Sequence, residues 1–271
     1  MHHYLPRAAA LMAALCCAIT SAAGSPNSIF TRDASPRATG FLDKTVDAQG
    51  QQSRYALYVP DNYSPKRAWP LIVFLHGAGE RGDDNLRQTE VGIGRAIRLH
   101  REWFPALVLM PQCPKDRFWD AAIPAIEAAI AQTRSEYRVD DRAITLTGLS
   151  LGGYATWIWG AQRADLFAAL MPICGGGDLE QLSKRFPART LAAFGAMDSR
   201  VRNLATLPIW AFHGSDDDVV PQERSAEMVA RVNAAGGDVQ YTVFQGAGHN
   251  SWDQAYGDRR HIRWLLKQRK K

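Results

Sequence analysis

TGLSLGGYATW, residues 147–157, is the stretch on which the reading of this chain turns. Gly148 and Gly152 stand two residues either side of Ser150, giving the pattern G-x-S-x-G. The pentapeptide alone is only suggestive, but its setting is specific. AITLT (143–147) leads in as a strand, and GGYATWIWGAQ (152–162) leads out as a small-residue, helix-capable run. A serine on a sharp strand-to-helix turn is the signature of a nucleophile elbow. Side chains two residues either side of it would collide, and so tight a backbone calls for φ > 0. The serine then sits at a helix N-terminus, whose partial positive charge favours negative charge developing nearby.

Outward from that turn, the chain alternates. LIVFL (71–75) and ALVLM (106–110) are short continuous apolar runs, as expected of strands buried on both faces. AITLTG (143–148), FAALMPI (167–173), IWAF (209–212) and VQYTVF (239–244) continue the series. Upstream, FLDKTV and YALYVP flank a DAQG turn and predict a hairpin. Residues 121–138 read as a helix with Ile123, Ile126, Ile130 and Tyr137 on one face, Asp120 as cap and Pro124 in the first turn. A second helix over 222–235 carries Ala226, Val229 and Val232 and stops at Gly236-Gly237. HIRWLLKQ forms a closing helix. Strands alternating with helices after a hairpin imply an α/β fold with a mostly parallel central sheet.

The 271 residues suit one such domain, assigned to 41–271, with an insertion at 178–207 that is longer than an ordinary connection. Residues 24–40 are rich in Ser, Pro and Gly and read as a flexible leader. Residues 1–23 combine a short start carrying Arg7, the apolar run AAALMAALCCAIT and small residues at Ser21-Ala22-Ala23. That is the layout of a cleaved secretory signal peptide, too short to span a bilayer. The expected product is exported, periplasmic or secreted, with no stable membrane insertion after cleavage. The net charge of +5 is scattered apart from the tail Lys267 to Lys271, so no basic stripe for nucleic acid is present. Cys113 and Cys174 follow strands that this fold separates by two others, roughly 15 Å at the usual strand spacing. A disulfide needs Cα atoms within about 7 Å, so two free, buried thiols are expected.

A serine hydroxyl needs a base. GAGHNSW (246–252) places His249 in a glycine-rich loop after the last strand, at the strand ends where open α/β sheets bind ligands. An oxyanion hole needs two backbone N–H groups aimed at one point. Leu151, directly after the serine, supplies one. The loop His76-Gly77-Ala78-Gly79 supplies the other from Ala78, with Gly79 as the alternative. Trp119 and Trp252 are candidate pocket walls, with core packing the equal alternative. Arg81 is a candidate substrate contact, although Glu80, Arg81, Asp83 and Asp84 read better as solvated loop charges. His76 and His213 each open a His-Gly turn. With His249 they lack metal-ligand spacing, so neither metal nor cofactor is expected.

LHGAG, GLSLGG, HGSDDDVVP and GAGHNSW, in that order and spacing, resemble the α/β-hydrolase superfamily. Within it the chain is similar to exported esterases grouped with phospholipase/carboxylesterases, feruloyl esterases and polyhydroxybutyrate depolymerases. LHGAGERGDDN, MPQCP and PICGGGD are similar to a subgroup labelled predicted peptidases. The likeness runs over roughly residues 41–265 and implies the order nucleophile, acid, histidine. The family pattern H-G-x-x-D-x-x-V-P lands on Asp217, ahead of its neighbours Asp216 and Asp218. Asp198 is the rival, because Gly195 to Asp198 repeats the spacing of Gly214 to Asp217; residues 191–201 lack the preceding His-Gly and following Val-Pro.

The resemblance implies a cofactor-independent serine hydrolase acting on carboxylic esters, small or polymer-derived, through an acyl-enzyme on Ser150. One alternative is a peptidase of the prolyl-oligopeptidase type, although that branch usually carries a large domain ahead of the catalytic one. A non-catalytic binding module on the same scaffold would be expected to have lost a triad member, and none is missing.

Overall fold

At Gln49-Gly50 both residues take positive φ, 57° and 79°. A two-residue loop with that geometry matches the right-handed twist of the strands it joins. It closes the expected hairpin of β1 (Gly40–Ala48) and β2 (Gln51–Val59), in register from Gly40 opposite Val59 to Ala48 opposite Gln51. The computed structural model describes residues 37–177, 197 and 200–271. The proposed signal peptide, most of the leader, most of the 178–207 insertion and Asp198 lie outside the described residues.

After the hairpin come β3 (Trp69–Leu75), α1 (Gly92–Leu99), β4 (Leu107–Pro111), α2 (Ile123–Glu136), β5 (Val139–Leu149), α3 (Leu151–Gln162) and β6 (Ala169–Ile173). The described chain continues through α4 (Val201–Leu204), β7 (Ile209–Gly214), α5 (Glu223–Ala234), β8 (Val239–Phe244), α6 (Trp252–Tyr256) and α7 (Arg259–Lys267). The sheet runs β1-β2-β4-β3-β5-β6-β7-β8, with β1, β2 and β4 paired antiparallel and every pairing from β4 to β8 parallel.

The central strands β3, β4 and β6 are apolar because each face of the sheet has its own core. On β3, Leu71, Val73 and Leu75 join Ile126 and Ile130 of α2, Trp157 of α3 and Val232 of α5. Ile72 and Phe74 face the other way, toward Ile93 and Ile97 of α1, Tyr256 of α6 and Ile262 of α7. Such two-sided burial is what an alternating pattern cannot show and a continuous run can. Helix α1 was not anticipated, since its GIGRAIRL carries two glycines. Nor does Asp120 cap α2. It lies inside a 3₁₀ turn, Trp119–Ala122, that enters the helix ahead of Pro124, so Ala122 takes the cap position. Cys113 and Cys174 are buried and free, with β3 and β5 between their strands.

Candidate active site

Strand β5 delivers Ser150 at φ 52°, ψ −116°, a left-handed backbone that a non-glycine residue takes only where its surroundings impose it. The imposition comes from close approach. A Cβ on Gly152 would stand 2.7 Å from the carbonyl oxygen of His76 and nearer still to that of Leu75. One on Gly148 would stand 2.8 Å from Leu75 O. Both flanking glycines are therefore required by close backbone approach, of the end of β3 and His76 on one side and, for Gly148, of the Gly152 carbonyl. The Ser150 N–H donates to Ile173 O at 3.0 Å and also approaches Cys174 Sγ at 3.3 Å. Beneath the turn, the Thr147 hydroxyl bonds Met171 O and the Tyr256 hydroxyl, each at 2.7 Å.

Because β7 and β8 are parallel neighbours, their trailing loops leave the same edge and knit together. Ser215 N–H donates to Phe244 O at 3.0 Å and Asp216 N–H to Ala247 O at 2.9 Å. Gly214 is packed so closely against Ala247 O and Gly248 O that a side chain has no room. The knit brings His249 to Asp217, with Nδ1 at 2.8 Å from Oδ2, and leaves Nε2 at 2.9 Å from Ser150 Oγ.

Of the three consecutive aspartates, only Asp217 is buried. Asp216 turns to the Ser215 hydroxyl, and Asp218 is exposed. Asp217 is encircled by donors. Its Oδ1 accepts Val219 N–H at 3.0 Å and Val220 N–H at 2.8 Å, and its Oδ2 also lies 3.2 Å from His213 Nε2. Burial alone would push this carboxyl up. The hydrogen bonds from His213, His249 and Val220 outweigh it and hold the group ionised, well below the usual carboxylate range.

The loop after β3 lies against the serine: a Cβ on Gly77 would be 3.6 Å from Ser150 Cβ. Leu151 opens α3 and Ala78 opens a 3₁₀ turn, Ala78–Glu80, so each carries an amide at the start of a helix, where intrahelical partners are lacking. His76 sets this loop rigidly. Its Nδ1 bonds Gly77 O at 2.6 Å and its Nε2 accepts Cys113 N–H at 2.9 Å, so the proton is on Nδ1. Burial pushes this imidazole down to about 4, keeping it neutral. Glu80 is not the solvated charge expected of it. Its Oε2 turns inward to accept Gly77 N–H at 3.0 Å, and burial raises its carboxyl.

Arg81 braces the same loop, Nε to Ala78 O at 3.1 Å and a terminal nitrogen to Arg117 O at 3.2 Å. Asp83 and Asp84 are exposed. Trp119 is fully buried behind the loop, its ring 4.7 Å from that of His76 and edge-on, its Nε1 donating to His76 O at 3.3 Å. Trp252 is half-buried and meets His249 edge-to-face at 5.4 Å. Ser225 and Gln112, which pin His213 and the loop after β3, carried no signal in the sequence beyond being polar.

Among the described residues, Cys174, Asp217 and His249 bring ligand atoms within 4.8 Å of one another. A metal would need the thiolate. Burial drives the Cys174 thiol far up instead, and the other two groups are already bonded to each other.

The model of the prolyl oligopeptidase family matches residues 120–271, more than half of the chain. A bifunctional acetylxylan esterase/xylanase from Neocallimastix patriciarum is 27% identical over 179 residues, 64% of this chain and 22% of that one. A thermostable esterase of known structure is 35% identical with a TM-score of 0.71, over 85% of this chain and 63% of that one. Est1E from Butyrivibrio proteoclasticus, at 16% identity and a TM-score of 0.65, covers 83% of this chain and 98% of its own, and speaks to the fold alone. The chain thus spans about a fifth of the curated relative it matches and less than two thirds of the thermostable esterase. The sheet order, the turn at Ser150 and these matches together make the fold that of an α/β-hydrolase. The chain belongs to the prolyl oligopeptidase family.

Proposed function

We propose that the protein hydrolyses carboxylic esters through an acyl-enzyme on Ser150, with His249 as base and Asp217 as the acid that orients it. The observation that carries this reading is the unbroken line of contacts, Ser150 Oγ to His249 Nε2 at 2.9 Å and His249 Nδ1 to Asp217 Oδ2 at 2.8 Å. An ionised Asp217 takes the Nδ1 proton in a hydrogen bond, which leaves Nε2 as the acceptor facing the hydroxyl. Ser150 Oγ attacks the ester carbonyl carbon while Nε2 takes its proton. The resulting oxyanion is held by the amides of Leu151 and Ala78. Nε2 then protonates the departing alkoxy oxygen, and the alcohol leaves. Water, deprotonated by the same nitrogen, attacks the acyl carbon, and Ser150 recovers its proton as the acid departs. None of these steps requires a cofactor.

The substrate is a small or polymer-derived ester; the acetylxylan esterase in the name of one relative supports the polymer-derived class. Residues 1–23 act as a cleaved export signal, which N-terminal sequencing of the exported protein checks. Hydrolysis of p-nitrophenyl acetate by wild type and Ser150→Ala tests the chemistry. Equal rates in both, or none in either across several short-chain esters, would refute the ester reading. Family membership favours one second reading, peptide-bond cleavage. A chromogenic peptide amide turned over at a kcat/KM above that of every ester tried would establish it.

A further inference from the structure

His213 was expected only to open a turn, yet its environment is that of a working group. The ring is completely buried. Nε2 lies 2.9 Å from Val220 O and 3.2 Å from Asp217 Oδ2, and neither oxygen can donate, so Nε2 carries a proton. Nδ1 lies 2.6 Å from Ser225 Oγ, which in turn lies 2.8 Å from Gly175 O. Helix α5 and the loop after β6 therefore grip the ring from behind and aim it at one carboxylate oxygen. That oxygen is the one His249 uses.

We propose that His213 is a positioning residue whose Nε2–H shares Oδ2 of Asp217 with His249, and so sets how strongly the carboxylate supports the imidazolium of His249. The inference rests on the reading of Asp217 and His249 as the acid and base of ester hydrolysis. Two donors on one oxygen divide its charge, so each bond is weaker than it would be alone. A carboxylate relieved of His213 holds the imidazolium more tightly, and the base is then taken up by protons at higher pH. The backbone bonds from Val219 and Val220 to Oδ1 keep the carboxylate in place when His213 is changed.

Among the described residues, other ionisable groups around the pair are few. Cys174 at the end of β6 is kept protonated by burial. Asp216 and Asp218 on the same loop are exposed. On α5, Arg224 packs beside Gly176 and pairs with Glu227 at 3.3 Å, and on α6, Asp253 is engaged by Arg95 at 3.0 Å. These groups stay the same across the variants below.

The test is the pH profile of kcat/KM for p-nitrophenyl acetate, read at an isosbestic wavelength, together with the pH dependence of Ser150 labelling by a fluorophosphonate. In His213→Asn, which is too short to reach Oδ2, the acid limb of both profiles moves up by about one pH unit, a roughly tenfold loss on the acid side. His213→Gln, whose amide N–H reaches toward Oδ2, restores the wild-type limb. Ser225→Ala, which releases Nδ1, moves the limb the same way by less and replaces the asparagine variant if thermal melts show that one unfolded. A fold-only role lowers the rate at every pH and leaves the limb where it was. A folded His213→Asn, or Ser225→Ala in its place, with an unmoved limb overturns the inference while an inactive Ser150→Ala keeps the ester reading intact. An active Ser150→Ala would instead bring down the reading beneath it.

Discussion

Replacing Asp217 with Asn changes one atom, and the structure says what that atom must face. Four donors surround the carboxylate: two backbone amides on Oδ1, and His249 Nδ1 and His213 Nε2 on Oδ2. An amide offers an acceptor to only one side. Turning its NH₂ toward the backbone would leave Val219 and Val220 N–H facing donors, at about 1–3 kcal/mol for each unsatisfied group. The carbonyl therefore stays with the backbone and the NH₂ meets His249. Nδ1 must then accept, its proton moves to Nε2, and the nitrogen beside Ser150 Oγ stops being a base. In Ser-His-Asp proteases the same tautomer exchange costs about 10⁴ in kcat, and a similar fall is expected here. Stability should fall too, by about 2 kcal/mol, because two charge-assisted bonds are lost from a buried site. Kinetics on p-nitrophenyl acetate and urea melts measure both quantities. Asp216→Asn and Asp218→Asn, at exposed positions, serve as controls and should stay within about twofold. An Asp217→Asn enzyme retaining a tenth of wild-type activity would refute the assignment, and collapse in Asp198→Asn instead would move the acid there.

Three further outcomes follow from particular contacts. Gly152→Ala forces a methyl into the carbonyls of Leu75 and His76, so soluble yield should drop and any folded protein lose about 3 kcal/mol by chemical denaturation. His76 titrates below its ordinary value because burial disfavours its charge, so between about 6.5 and 4 the unfolded chain binds the extra proton. Stability is thus lost as pH falls through that window, and His76→Phe should flatten the loss in urea melts run at pH 7 and pH 5, at the expense of a lower stability at neutral pH from the orphaned Cys113 N–H. Burial pushes the Cys113 thiol up to about 12 and the Cys174 thiol higher, so a thiol-disulfide reagent should titrate neither in the native protein and both in denaturant.

Much of this was legible in the sequence, for reasons that differ by element. The central strands announced themselves because two-sided burial demands unbroken apolar runs, as in LIVFL and LVLM. The serine turn was legible because Gly148 and Gly152 are demanded by backbone contact, which tolerates no substitute. Helix α1 escaped because Gly92 and Gly94 suit close packing against Leu149 and Thr89 rather than helix propensity. The inward turn of Glu80 escaped as well: its role depends on a single amide brought near by the tertiary fold, and a lone carboxylate in a polar loop carries no trace of that. The family pattern pointed to Asp217 among three identical neighbours, but its burial against His213 of β7 and His249 of the loop after β8 belongs to the sheet.

Among the described residues β8 pairs only with β7, and four of its six positions are half-buried, whereas β5, which leads into the serine, is paired on both sides and buried from Ala143 onward. The proposed nucleophile and base are therefore housed at opposite ends of a gradient of local stability. Opening the sheet margin costs less than opening its middle, so warming should detach His249 while Ser150 is still in place. The enzyme would fall silent before it melts and recover at once on cooling, with inactivation as the early, reversible event and loss of the core as the late one.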